Sequence, residues 1–229
     1  MKYTYDNAVE VEIPLEDFQR IGIRFSGGAD SAILMMLLAE TIMRLGKHKT
    51  AFIQPMTVHW EFKPFNHFYG EGVRDFICSR YPEVDIRPTI IGQCDSYEDY
   101  IPSQVRLERK VGEENKLEII FGGVTMNPPA SEAELWGDYY WNRRDVNRDP
   151  DTPKDELFAR SSQWYKCFPF RLTNKRGISK LYEMMDVLDT LYPITWSCEA
   201  YPSQNEYFQK QCGVCWWCKE RIWGFGRLE

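Results

Sequence analysis

Apolar residues in this chain fall either in short consecutive runs or in three- and four-residue steps, and over the first half the two kinds of run alternate. Ile21-Gly22-Ile23-Arg24-Phe25 is a short β-prone run that predicts a strand. From residue 29 to 45 the period changes: Ile33, Leu34, Leu37, Leu38, Ile42 and Leu45 recur at helical spacing until Gly46 stops them. Ala51-Phe52-Ile53 and Met56-Thr57-Val58 predict a second strand, and residues 73–81 predict a helix closed by Pro82. Residues 85–91 predict a third strand, since Ile86, Thr89, Ile90 and Ile91 are β-branched. A helix is expected over 97–111 and a fourth strand over 117–121, followed by Gly122-Gly123. Strand alternating with helix predicts an α/β fold, a parallel sheet with helices on both faces. Such sheets take ligands at the carboxyl ends of their strands.

The alternation stops at residues 126–168, which are rich in Pro, Asp, Asn and Arg with Trp136, Tyr139, Tyr140, Trp141 and Trp164 scattered among them. An insert this long and weakly periodic reads as a functional lid or a disordered segment, and its aromatics favour an ordered one. Helical spacing returns over 178–188. These shifts divide the chain into an α/β domain over 1–190, with the insert inside it, and a small cysteine-bearing subdomain over 191–229.

The composition narrows the picture little but usefully. The 229 residues are 43% apolar and 27% charged with a net charge of −6, and the pI is near 5.3. That is an ordinary globular balance, and it argues against a surface built for a nucleic-acid backbone. No apolar run is long enough to span a bilayer, and the first ten residues are polar, so a cytoplasmic location is expected. Seven cysteines in a reducing compartment point to metal binding rather than disulfides.

Two motifs carry chemistry. Ser26-Gly27-Gly28-Ala29-Asp30-Ser31 stands where the first strand hands over to the first helix. Glycines there allow a tight turn and close approach of a ligand, and the first amides of the helix lack intrahelical acceptors. Together they form a nest for phosphate oxygens, with Ser26 and Ser31 adding hydroxyls and Asp30 holding magnesium or a donor network. A chance match to this pattern in such a chain is on the order of one in a thousand. Near the other end, Cys198, Cys212, Cys215 and Cys218 have the spacing of a closed tetrahedral zinc site. Iron–sulfur ligation uses similar spacings and remains open. Cys78, Cys94 and Cys167 read as core thiols.

The Ser-Gly-Gly-Ala-Asp-Ser run resembles the signature of the PP-loop ATP pyrophosphatases. Thr195-Trp196-Ser197-Cys198, then Cys212-Gly213-Val214-Cys215-Trp216-Trp217-Cys218 and Arg221, is similar to the zinc tail of the 7-cyano-7-deazaguanine synthases. Pro169-Phe170 and Asn174-Lys175-Arg176-Gly177-Ile178 are similar to that family's second phosphate motif. The resemblance implies an adenine-nucleotide α-hydrolase-like fold. It implies an ATP-dependent carbon–nitrogen ligase that uses ATP, magnesium and zinc. Such an enzyme would adenylate a carboxylate or amide oxygen of a 7-deazapurine base and replace AMP with ammonia, giving an amide or a nitrile. Asp30, Ser31 and Lys175 would carry the chemistry, with Ser26, Gly27, Gly28 and Ala29 completing the nucleotide contacts. Trp136, Trp141 and their tyrosine neighbours would form a lid over the base, or else pack a local core. A membrane or nucleic-acid partner is not expected; a homodimer is allowed. The family's Tyr-Pro-Asp-Cys-Arg segment is missing, and its Pro-Gly-Arg-Asn segment is represented only by Pro102-Ser103-Gln104. Two alternatives therefore stay open: a PP-loop enzyme of tRNA sulfur transfer, which would want Cys167 as nucleophile, and a non-catalytic zinc-bearing relative.

Overall fold

The computed structural model describes residues 1–5, 9–60, 65–96, 98–137, 145–150, 158–160, 163–200, 206–207 and 209–229. Strands β1 (Lys2–Tyr5) and β2 (Val9–Glu12) form an antiparallel hairpin apart from the main sheet. The first strand of the predicted alternation, β3 (Arg20–Arg24), lies at the centre of that sheet. It feeds helix α1 (Ala29–Arg44), then β4 (Phe52–Trp60), α2 (Phe65–Arg80), β5 (Asp85–Ile86), β6 (Ile90–Cys94), α3 (Tyr100–Asn115) and β7 (Ile119–Phe121). Beyond these come α4 (Ala130–Ala133), β8 (Phe158–Arg160), β9 (Tyr165–Cys167), α5 (Lys175–Met184) and α6 (Trp216–Phe225). The sheet order is β5-β4-β3-β7-β9-β8, with β6 also paired to β4. All pairs are parallel except β8 with β9.

The expected α/β fold is therefore present, and β3 has β4, the next strand in sequence, on one side and β7, after two further strands, on the other. Its carboxyl end is the point where strand order reverses, the usual position of a ligand crevice in an open sheet.

Three local departures have physical causes. The third predicted strand is broken into β5 and β6 around Pro88, whose missing N–H interrupts the ladder. β5 pairs with β4 at Phe52 and Ile53, and β6 takes over from Met56 to Trp60. Pro55 falls in the gap between the two partners, so a proline is tolerated in the middle of a long strand. Residues 126–168 also do more than cover the domain, because they contribute β8 and β9 to the sheet. Trp164 is buried against Gly112 on α3 and is a core residue. Tyr139, Tyr140 and Trp141 lie outside the described residues.

Alternation along the strands separates two apolar layers. Ile21, Ile23, Ile53, Ile119 and Phe121 pack with α1, Val73 and Ile77 of α2, and Ile178 and Leu181 of α5. Met56, Val58 and Ile120 pack with Leu107 and Val111 of α3. Most of α1 is buried, from Ile33 and Leu34 to Ile42. Each such aliphatic side chain contributes about 1.5–3 kcal/mol, so the helix that begins at the phosphate-type turn is firmly anchored.

Candidate active site

The turn after β3 is built for close approach. Gly27 has φ +73°, and an added Cβ would meet the backbone of Gly70 on α2 at 2.6 Å, so only glycine serves there. Gly28 caps α1 in extended conformation, and its carbonyl accepts the Ala32 N–H at 3.0 Å. The Ser26 and Ser31 hydroxyl oxygens lie 3.3 Å apart, so both hydroxyls converge on one spot above the helix start. The amides of this first turn have no acceptor within the helix.

Lys175, 145 residues later in the chain, is brought to the same turn. Asn174 caps α5 by accepting the Arg176 and Gly177 N–H groups at 3.1 and 3.3 Å, which fixes Lys175 as the first helical residue. Its ammonium makes an ion pair with Asp30 Oδ2, and both side chains are largely buried. Asp30 Oδ1 is buried without a hydrogen-bond partner among the described residues. The expected group of Ser26, Gly27, Gly28, Ala29, Asp30, Ser31 and Lys175 is thus assembled at one place.

The cysteine tail completes the wall. Trp196 N–H donates to the Gly27 carbonyl at 3.0 Å, and the Trp196 ring stacks on Tyr69 of α2 with centroids 4.5 Å apart. Arg221, fully buried, donates to Thr195 Oγ1, Ser197 Oγ and the Tyr192 carbonyl at 2.8, 3.3 and 2.9 Å. That fork holds the segment against the loop. The Gly224 Cα faces Lys175, where an added Cβ would stand 2.3 Å from the Lys175 Cβ and 2.8 Å from its carbonyl carbon. Gly224→Ala is expected to cost about 1–3 kcal/mol, the usual range for overpacking. Thermal melting with and without MgATP checks this, with nucleotide stabilisation reduced because Lys175 must shift.

Cys198, Cys212, Cys215 and Cys218 converge with their sulfur atoms all within 4.8 Å of one another, a set that could hold a metal ion. The Cys212 and Cys218 sulfurs are 3.9 Å apart, close to the edge of a tetrahedron drawn about one ion with zinc–sulfur bonds of about 2.3 Å. Backbone N–H groups point at the ligands: Cys212 N and Ala200 N at Cys198 Sγ, and Cys215 N and Val214 N at Cys212 Sγ, at 3.2–3.5 Å. Donors of this kind favour thiolates. Hydrogen bonds within the cluster drive the Cys198 pKa down and push the Cys215 and Cys218 thiols up, so the three titrate as one unit.

The insert reaches this region as well. Arg148 donates to the Thr125 carbonyl at 2.7 Å and to Glu220 Oε1 on α6 at 2.6 Å, and Trp223 donates to Glu132 at 2.7 Å. Trp136 packs on Trp216 with centroids 5.1 Å apart and is not among the residues lining the cavity. Cys167 sits in the core beneath α1, its thiol pushed up to about 12, mainly by burial. That is the reverse of an activated nucleophile.

A cavity of about 330 Å³ lies over these groups, lined by Ser26, Gly28, Asp30, Ser31 and Lys175, by Met56, Thr57 and Val58 of β4, and by Trp196, Ser197, Glu199 and Trp217. Arg24, Tyr100, Gln104, Gly122 and Gly123 close its other side. A larger cavity of about 470 Å³, lined by Arg20, Lys116 and Glu118 among others, lies at the amino ends of β3, β7 and β9 and has none of this chemistry. The sequence reading missed Arg24, Trp196, Glu199 and Trp217 as wall residues. Trp196, Glu199 and Trp217 had a signal, their places one or two residues from the cysteines of the cluster, and Arg24 had none. No helix among the described residues is long and apolar enough to cross a membrane.

The fold and site together define an α/β protein with a phosphate-type turn at the switch point of its sheet and a four-cysteine cluster packed on that turn. No protein-family model matches the sequence, and no curated protein matches it. Among solved structures, the U34-tRNA thiolase of Methanococcus maripaludis with its [4Fe-4S] cluster is similar over 74% of this chain and 57% of its own, at 14% identity and a TM-score of 0.45. FMN adenylyltransferase of Candida glabrata, in complex with FMN and an ATP analog, is similar over 71% of this chain and 48% of its own, at 14% identity and a TM-score of 0.40. The chain spans about half the length of either protein.

Proposed function

We propose that this chain is a PP-loop enzyme that cleaves ATP between the α- and β-phosphates to adenylate an oxygen of a carboxylate or amide, and that the acceptor is a 7-deazapurine-like base. The observation that carries this reading is the meeting of Lys175 with Asp30 at the mouth of the Ser26–Ser31 turn. A nest of amides and hydroxyls gains a buried lysine from a distant element, which suits binding and release of a polyphosphate. The buried, unpartnered Asp30 Oδ1 fits a magnesium ligand between the phosphates.

In the reaction, a carboxylate oxygen attacks the α-phosphorus and pyrophosphate departs. Ammonia then attacks the acyl carbon, AMP leaves with the C–O electron pair and the nitrogen loses one proton to solvent, giving an amide. A second ATP activates the amide oxygen, and loss of AMP and two protons gives the nitrile. The turn holds the phosphates, Lys175 offsets charge on the departing pyrophosphate, and the cavity walls align acceptor and nucleotide. Four thiolates leave no open position, so a zinc ion at the cysteines would contribute folding stability and no reaction step. The close sulfur spacing favours one ion over a cubane, whose ligands sit on separate iron atoms.

Incubating the protein with 7-carboxy-7-deazaguanine, ammonia and MgATP should yield AMP, pyrophosphate and the amide or nitrile base by mass spectrometry. Intact ATP binding without base conversion would move the function to another acceptor.

A further inference from the structure

On the α3 side of the sheet, beside the cavity but apart from the phosphate turn, a buried carboxylate is shared by two cations. Glu108, 1% exposed, takes Arg24 Nε on Oε1 at 2.5 Å and Lys166 Nζ on Oε2 at 2.9 Å. The three come from α3, β3 and β9, so the topology alone brings them together. One negative charge against two positive ones leaves a net positive charge in the wall. The Asp30–Lys175 pair nearby is already balanced, and Glu199 enters from the tail.

Arg24 is the member that lines the cavity. It is the last residue of β3 and points to the face opposite α1, since Ile23 points toward α1. Phe168 lies against its guanidinium, with the ring centroid 5.6 Å from Cζ. The Arg24–Glu108 contact is an ion pair through Nε rather than a hydrogen bond, since Glu108 Oε1 has no hydrogen-bond partner among the described residues, and the guanidinium keeps four Nη hydrogens in a fixed plane, the geometry that matches a carboxylate. Lys166 donates to Glu108 Oε2 and holds the carboxylate in place, so Glu108 orients the arginine without cancelling the whole cluster. The phosphates have their own site at the turn, which leaves this cation for the acceptor.

We propose that Arg24, positioned by Glu108 and Lys166, is the anchor for an anionic carboxylate on the acceptor substrate. This rests on the reading that the acceptor is a carboxylate activated in this cavity. It goes beyond that reading by naming the residue that distinguishes the acid from its amide.

The test is calorimetric titration of protein saturated with magnesium and an α,β-methylene ATP analogue. The ligands are two matched pairs: 7-carboxy-7-deazaguanine and its amide, and indole-3-carboxylate and its amide. Wild type should prefer the acid in at least one pair by about 10- to 100-fold, the range for one charge-assisted contact. Arg24→Gln should lose that preference while nucleotide affinity stays within about twofold, and Arg24→Lys should restore part of it. Preference in the indole pair alone would retire the deazapurine acceptor and keep the assignment of Arg24. Wild type blind to the acid in both pairs would overturn the assignment without reference to any variant. So would an Arg24→Gln protein that keeps the preference, or one that loses nucleotide affinity as much as acid affinity. If Arg24→Gln does not fold, Arg24→Lys and Glu108→Gln decide the matter: both should show a weaker preference for the acid than wild type, and the full wild-type preference in both overturns the assignment.

Discussion

Cys218→Ser protein should carry less than about a tenth of the wild-type metal content and melt roughly 10 °C lower. The size of the effect follows from where the ligand sits. Cys215 caps α6 and Cys218 falls in its first turn, so two thiolates stand at the positive end of the helix that the metal organises. That helix in turn holds Glu220 against Arg148, Trp223 against Glu132 and Gly224 against Lys175. Loosening it therefore disturbs the insert and the lysine as well as the cysteines. A loss of about 3–5 kcal/mol is a moderate fraction of what structural zinc contributes in small domains. In a chain of this size it corresponds to the drop stated. Elemental analysis by mass spectrometry and a melting curve check both halves, and visible absorption distinguishes zinc from an iron–sulfur cluster. Wild-type protein that stays equally stable after exhaustive chelation would contradict the structural role.

The central alternation was legible because it is local. Ile21 to Phe25 and the helical spacing from Ile33 to Leu45 each encode one element, and β3 and α1 appear where the period places them. The phosphate turn was legible for the same reason: its six residues are contiguous. The edge of the sheet was not. β8 and β9 are three residues each, too short for a period to show, and β9 is strand only because β7 offers it an edge. Trp164 illustrates the point, since its burial depends on Gly112 fifty-two residues away. The cysteines were read from spacing, but their contact with the phosphate turn was not, because the Trp196–Gly27 hydrogen bond is a backbone contact that no residue type announces. Arg24 was read as one residue of a β-prone run, and its pairing with Glu108 needs the α3 crossover to exist.

Lys175→Ala should lower pyrophosphate release by about 10²- to 10³-fold, the range found when one charge-stabilising donor is removed from a developing anion. The argument is one of placement. The lysine is nearly buried and paired with Asp30, on a helix start fixed by the Asn174 cap and by contact with Gly224. Its ammonium cannot be replaced by water without reorganising that wall. Stability should fall far less than turnover, because α1 and α5 keep their apolar contacts, among them Ile33, Ile178 and Leu181. Asp30→Asn should cut turnover by a similar factor and raise the magnesium concentration needed for half-maximal rate, since the amide keeps the shape and loses the charge that a divalent cation requires. The two variants together should cost less than the sum of their separate effects, as expected of partners in one ion pair. Single-turnover pyrophosphate release, measured beside melting curves, makes the separation. Variants that turn over within about twofold of wild type would reduce the Ser26–Ser31 segment to a structural turn. Variants that lose stability as steeply as rate would make the Asp30–Lys175 pair a fastening of α5 to α1 and remove it from the chemistry.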